Sequence, residues 1–210
     1  MGPVSGIQRL ATLLVTHEVF LRPRSGEAPI DVVSALRPLT GERTVLPVVA
    51  EATAANGVRW LEVRLPGRPN GRKGWILERA TVGSATTWSI VVHIDSRTMT
   101  IESHGRPVRT VKVVVGTPVT PTPRGVFFVE EVLRLAGSAV GAPYAFALSA
   151  RSNVLKEFDG GPGQIALHGL GNIGGVPGTA ASHGCVRVDT AALDWMVTRI
   201  GPGTPVTMDR

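Results

Sequence analysis

Cys185 is the single cysteine of this 210-residue chain. Two of the five histidines stand upstream of it in the same region, His183 two residues before and His168 17 residues before. A thiol is a weak nucleophile until a neighbouring base or cation favours its ionised form. Imidazole is the usual base, and it acts well only when a third group fixes the ring. If Ser182–Val188 runs extended, His183, Cys185 and Arg187 point to one face, while Val186 and Val188 point into a core. That face would carry a base candidate, a nucleophile and a permanent cation. Gly184 lets a substrate approach the backbone, so that the N–H groups of Gly184 and Cys185 can hold an oxyanion.

The same residue types serve other ends. A lone cysteine is often a small buried hydrophobe. Ser-His-Gly by itself specifies little, since Ser103-His104-Gly105 repeats it with no cysteine following, in what reads as a hairpin turn. His17 and His93 read as structural. A zinc site from His168, His183 and Cys185 lacks a second cysteine and a convincing fourth ligand, so no metal is expected.

The elements that must position these groups read as mainly β. There are 25 Gly and 16 Pro between short apolar runs, the pattern of many turns and short strands. Toward the N-terminus, strand-like runs occur at Glu18–Leu21, Val45–Ala52, Val58–Leu65 and Gly74–Leu77, with a strong hairpin signal at Asn56-Gly57. Gly83–Thr87 is small and polar and reads as a short linker. Further strands are expected at Trp88–Ile94, Met99–Glu102, Val108–Val115, Phe127–Val132, Ala145–Leu148, Gln164–Leu167 and Thr204–Met208. One helix, capped by Asp189 or Thr190, should carry Leu193, Met196, Val197 and Ile200 on one face and stop at Gly201.

Composition excludes some functions. Hydrophobic residues are 43% and charged residues 18%, a globular balance. The net charge is +6 with no basic run and few interleaved aromatics, so no nucleic-acid partner is expected. A mild attraction to an anionic polymer fits the charge equally well. No apolar run approaches the length of a membrane span. Ile7–Val15 is short and carries Arg9, so no signal peptide is visible.

His168-Gly169, a Gly-rich loop, then Ser182-His183-Gly184-Cys185-Val186-Arg187 resembles the signature of the YkuD-like L,D-transpeptidases. Residues 86–210 fit that catalytic domain, with Arg187 where some members have Asn. Trp60-Leu61-Glu62-Val63-Arg64 followed by Gly74-Trp75-Ile76 resembles bacterial SH3-like domains. The resemblance implies a small SH3-like β-barrel over 1–85, able to bind cell-wall polymer. A β-sandwich-like catalytic domain with one C-terminal helix would follow. It implies Cys185 as nucleophile, His168 as base, the Gly169 carbonyl as the group that orients His168, and His183, Gly184 and Cys185 lining the oxyanion site. Ser182 and Arg187 would bind the donor peptide, and Tyr144 would form part of the pocket wall. The implied reaction is cross-linking of peptidoglycan stem peptides through a thioester, without cofactor, outside the cytoplasm in the cell wall or periplasm. An L,D-carboxypeptidase-type hydrolase using the same site, and a non-catalytic wall-binding protein, are the alternatives.

Overall fold

The computed structural model describes residues 6–157 and 160–210. It is mainly β with one short helix. The strands before residue 87 are β1 (Gln8–Leu13), β2 (His17–Val19), β3 (Asp31–Val33), β4 (Val45–Thr53), β5 (Arg59–Arg64), β6 (Lys73–Leu77) and β7 (Thr81–Thr86). Five of them form an antiparallel sheet in the order β6-β5-β4-β1-β7, and β2 pairs with β3 as a separate ribbon. Asn56-Gly57 closes the β4–β5 hairpin, with Gly57 at φ +78°, as the sequence predicts.

The second part comprises β8 (Trp88–His93), β9 (Thr98–Ser103), β10 (Arg106–Lys112), β11 (Val115–Gly116), β12 (Gly125–Arg134), β13 (Tyr144–Arg151), β14 (Gln164–His168), β15 (Ala180–Ser182), β16 (Val186–Arg187), α1 (Thr190–Met196) and β17 (Pro205–Asp209). Eight strands make one mixed sheet in the order β10-β9-β8-β17-β12-β13-β14-β16. The sheet curls, and α1 packs Ala192, Leu193 and Met196 into the core it encloses with Ile90, Phe127, Leu148, Ile165, Leu167 and Val186. Asp189 caps α1 by accepting the Ala192 N–H at 2.9 Å.

Three expectations change. Gly83–Thr87 is not a linker, because its residues to Thr86 belong to β7 and pair in register with β1. The run Val108–Val115 breaks in two, since Val113 and Val114 leave the ladder to bond to Arg97 and Arg187. The helix ends at Met196 rather than Ile200, with Val197 as its C-cap.

The two sheets share buried contacts. On β12, Phe127 and Val129 enter the core of the larger sheet. Phe128 points the other way, into the core formed by Leu13, Leu46, Val63 and Ile76. Glu130, 3% exposed, accepts from Arg37 at 2.8 Å on one side and Arg151 at 3.0 Å on the other. Next to it, Glu131 accepts the N–H groups of Leu39 and Thr40. Removing one partner of a buried ion pair strands the others. Glu130→Ala should lower unfolding stability by about 3–5 kcal/mol, measured by urea denaturation. A loss under about 1 kcal/mol would mean that the network contributes no more than a surface pair.

Candidate functional site

His168 ends β14, a strand held between β13 and β16. Its Nδ1 lies 2.9 Å from the Gly169 carbonyl. A carbonyl only accepts, so Nδ1 carries the proton and Nε2 is left with a lone pair. Gly169 must be glycine, because a Cβ there would run into the Ala142 carbonyl. Gly141, at φ +84°, is equally constrained: a Cβ would come within 2.6 Å of the His168 Nδ1. The Gly169 N–H donates to the Gly141 carbonyl at 2.7 Å, and the Gly141 N–H donates to Gly171 at 2.7 Å. The turn Gly141-Ala142-Pro143 thus packs against the imidazole. Sequence reasoning missed it, although this turn triplet stands immediately before Tyr144.

The cysteine lies on a short loop between β15 and β16. Val186 and Val188 are fully buried, as the alternation predicts. The segment is not one continuous strand, however, because Gly184 turns it at φ +120°. His183 is therefore exposed while Arg187 is buried, so the two do not share a face. The Cys185 Sγ lies 4.0 Å from the Gln164 carbonyl on β14.

Ser182 holds this loop together. It is 2% exposed; its Oγ accepts the Gly184 N–H at 3.1 Å and donates to the Cys185 carbonyl at 2.5 Å. The hydroxyl expected to touch substrate is thus committed to the loop itself. The Gly184 N–H is likewise occupied. No acceptor for the Cys185 N–H occurs among the described residues.

A second brace comes from the loop Thr117–Pro123. The Thr122 Oγ1 donates to the Gly184 carbonyl at 2.9 Å and accepts the Gly116 N–H at 2.9 Å. The Thr120 Oγ1 donates to the Ser182 carbonyl at 3.2 Å. Neither threonine was foreseen; the signal was a Pro-rich loop whose alternating hydroxyls had no assigned partners. Tyr144 begins β13, one residue before the Ala145–His168 pair. No group of three or more His, Cys, Asp or Glu able to hold a metal occurs among the described residues.

Burial sets the electrostatics. It pushes the His168 imidazole below its ordinary value; its bond to Gly169 opposes this and the Arg187 charge adds to it. Burial pushes the Cys185 thiol up, against the pull of the Ala166 backbone and of Arg187. Both directions favour the neutral forms of imidazole and thiol near neutral pH. The arrangement suits proton transfer during attack rather than a standing thiolate.

A family model for the YkuD domain, described as an L,D-transpeptidase catalytic domain, matches residues 87–208. The YkuD protein of Bacillus subtilis is 28% identical over 123 residues, 59% of this chain and 66% of that protein. L,D-transpeptidase 1 of Mycobacterium tuberculosis is 25% identical over 170 residues, 74% of this chain and 64% of that protein. The chain thus spans just under two thirds of the length of these relatives. Among solved structures, L,D-transpeptidase 3 of Mycobacterium tuberculosis, in complex with a faropenem-derived adduct, superposes with a TM-score of 0.51. It is 14% identical, over 80% of this chain and 91% of that one, and shares the fold.

Two outcomes are expected. Thr122→Val keeps the shape but removes both hydroxyl bonds, leaving buried groups unsatisfied at a cost of about 1–3 kcal/mol. It should slow Cys185 alkylation, read by intact mass; an unchanged rate would show that the brace is dispensable. The second concerns pH. A thiol raised by burial ionises above its ordinary value of 9.0, so iodoacetamide alkylation should climb only in the alkaline range. A plateau already reached near pH 7 would contradict the neutral pair.

Proposed function

This chain belongs to the YkuD family of L,D-transpeptidase catalytic domains, and from that premise we propose that it acylates Cys185 with a peptidoglycan stem peptide and passes the acyl group to an amine. The observation that carries this reading is the backbone-oriented imidazole of His168 on the strand against which the Cys185 loop packs. The Sγ attacks the carbonyl between the third stem residue and the terminal D-Ala. His168 Nε2 takes the thiol proton and returns it to the departing D-Ala amine. The acceptor amine then attacks the thioester, gives up its proton to His168 and releases Cys185. The developing oxyanion is held by the Cys185 N–H, with His183 adjacent and Gly184 providing the turn that aims the donor.

The remaining roles belong to the same reading. Ser182 acts by holding the loop through its two backbone bonds. Tyr144, next to the Ala145 that pairs with His168, is read as part of the pocket wall. The guanidinium of Arg187 sits below the surface, donating to the Gly174 carbonyl. Residues 1–85 are read as an SH3-like unit that engages wall polymer and 86–210 as the catalytic unit. The substrate implies action outside the cytoplasm. No helix among the described residues is long and apolar enough to cross a membrane.

The test is intact-protein mass spectrometry after incubation with a defined tetrapeptide stem. The expected species is an adduct equal to the stem peptide less D-Ala, absent in Cys185→Ala and consumed when an acceptor amine is added. An adduct that persists in Cys185→Ala, or turnover that survives it, would overturn the assignment.

A further inference from the structure

Arg187 is 6% exposed, and its backbone is locked by bonds to Val114 on one side and by the β14–β16 pairing on the other. Its Nη1 donates to the Gly174 carbonyl at 3.2 Å. Its Nε is buried with no acceptor. None of the ion pairs among the described residues includes it. The other deeply buried guanidinium, Arg37, is matched by Glu130. Gly175, at φ +113°, lets its loop pass directly over the Arg187 side chain, since a Cβ there would lie 3.3 Å from Nη1.

An uncompensated cation sealed under a loop is strongly disfavoured unless something beside it becomes negative. Arg187 stands opposite His168 in the β14–β16 register and two residues from Cys185. We propose that Arg187 is a positioning residue, a fixed buried charge that supports the sulfur of Cys185 as it turns anionic and keeps His168 unprotonated and ready to accept. This rests on the reading of Cys185 as the nucleophile.

The surroundings leave few rivals for the role. The ionisable side chains of the region are His168 on β14, His183 in the cysteine loop, Tyr144 at the start of β13, Asp189 two residues beyond Arg187, and Lys112, whose chain touches Gly178 at the far end of the covering loop. The loops Thr117–Pro123 and Gly169–Thr179 carry no ionisable side chain. The one carboxylate of this set, Asp189, caps α1 by accepting the Ala192 N–H, and no ion pair among the described residues joins it to Arg187.

The sign of the effect is distinctive. A nearby cation lowers the affinity of both groups for a proton, because it favours a thiolate and opposes an imidazolium. Removing it raises both. Loss of a residue that only gripped the donor peptide would instead raise KM and leave both proton affinities in place.

The experiment follows iodoacetamide alkylation of Cys185, and kcat/KM for a tetrapeptide stem, against pH in wild type, Arg187→Met and Arg187→Lys. In Arg187→Met the alkylation profile should move to higher pH, with a roughly tenfold slower rate at pH 8, one pKa unit being tenfold. The acid limb of kcat/KM should move upward as well. Arg187→Lys, which keeps the charge, should alkylate within about threefold of wild type, a shift of less than one such unit. An unmoved alkylation profile in folded Arg187→Met overturns the proposal, whatever happens to turnover. If circular dichroism shows Arg187→Met unfolded, Arg187→Lys decides: a tenfold loss in that variant overturns it. If turnover survives Cys185→Ala, the acyl-enzyme reading fails, while the alkylation profiles still judge Arg187 independently.

Discussion

The bond from the His168 Nδ1–H to the Gly169 carbonyl is the constraint on which the site depends. A carboxylate partner would hold an imidazole and also stabilise its charged form. A backbone carbonyl orients the ring with only partial charge behind it. The ring is thus fixed as a neutral acceptor, and the geometry around it must be rigid, because a peptide carbonyl has no rotamer with which to follow a misplaced ring. The glycines meet that need. Gly169 passes against Ala142 and Gly141 passes against the imidazole, at distances no side chain would permit. The two segments then bond to one another through the Gly169 N–H. Substitution at either position would displace the ring before it affected any substrate contact.

The cysteine loop solves a related problem by other means. A turn at φ +120° breaks the strand and lifts Cys185 out of the sheet while Val186 stays fully buried. Freed from the ladder, the loop's polar groups need partners, and hydroxyls supply them. Ser182 bridges Gly184 and Cys185, while Thr120 and Thr122 hold the carbonyls of Ser182 and Gly184. Buried polar groups gain little by pairing and lose more when left alone. These hydroxyls therefore act mainly by excluding every other loop conformation. The Cys185 N–H has no acceptor among the described residues.

What the sequence disclosed follows from how local each signal is. The Ser182–Arg187 motif, the His168–Gly169 pair and most strand positions were legible because alternation and turn residues act over a few neighbours. Gly83–Thr87 misled, because small polar residues look the same in a linker and in an edge strand; pairing with β1, more than 70 residues away, decides it. The shared face of His183, Cys185 and Arg187 failed through one glycine, whose positive φ cannot be read from its identity. Thr120, Thr122 and Gly141 escaped notice because the groups they meet in the site, Ser182, Gly184 and His168, lie at sequence separations of 27 residues or more. The division of labour along β12 was partly visible. Phe127–Val132 is an unbroken apolar and acidic run, and a strand without alternation is one with both faces covered.

That double coverage bears on the role of the first sheet. Phe128 and Glu130 project from β12 away from the catalytic core, and the Ser149 Oγ on β13 accepts the Phe128 N–H on the same side. Without the first sheet, a phenylalanine would face water and Glu130 would keep only Arg151. The Gly67 N–H donates to the Ser149 carbonyl, and the Asn70 side chain pairs with the Arg151 backbone in both directions, continuing the outer face of β13. β13 in turn pairs with β14, the strand that ends in His168. The first sheet is thus one strand removed from the His168 imidazole and covers the back of its support.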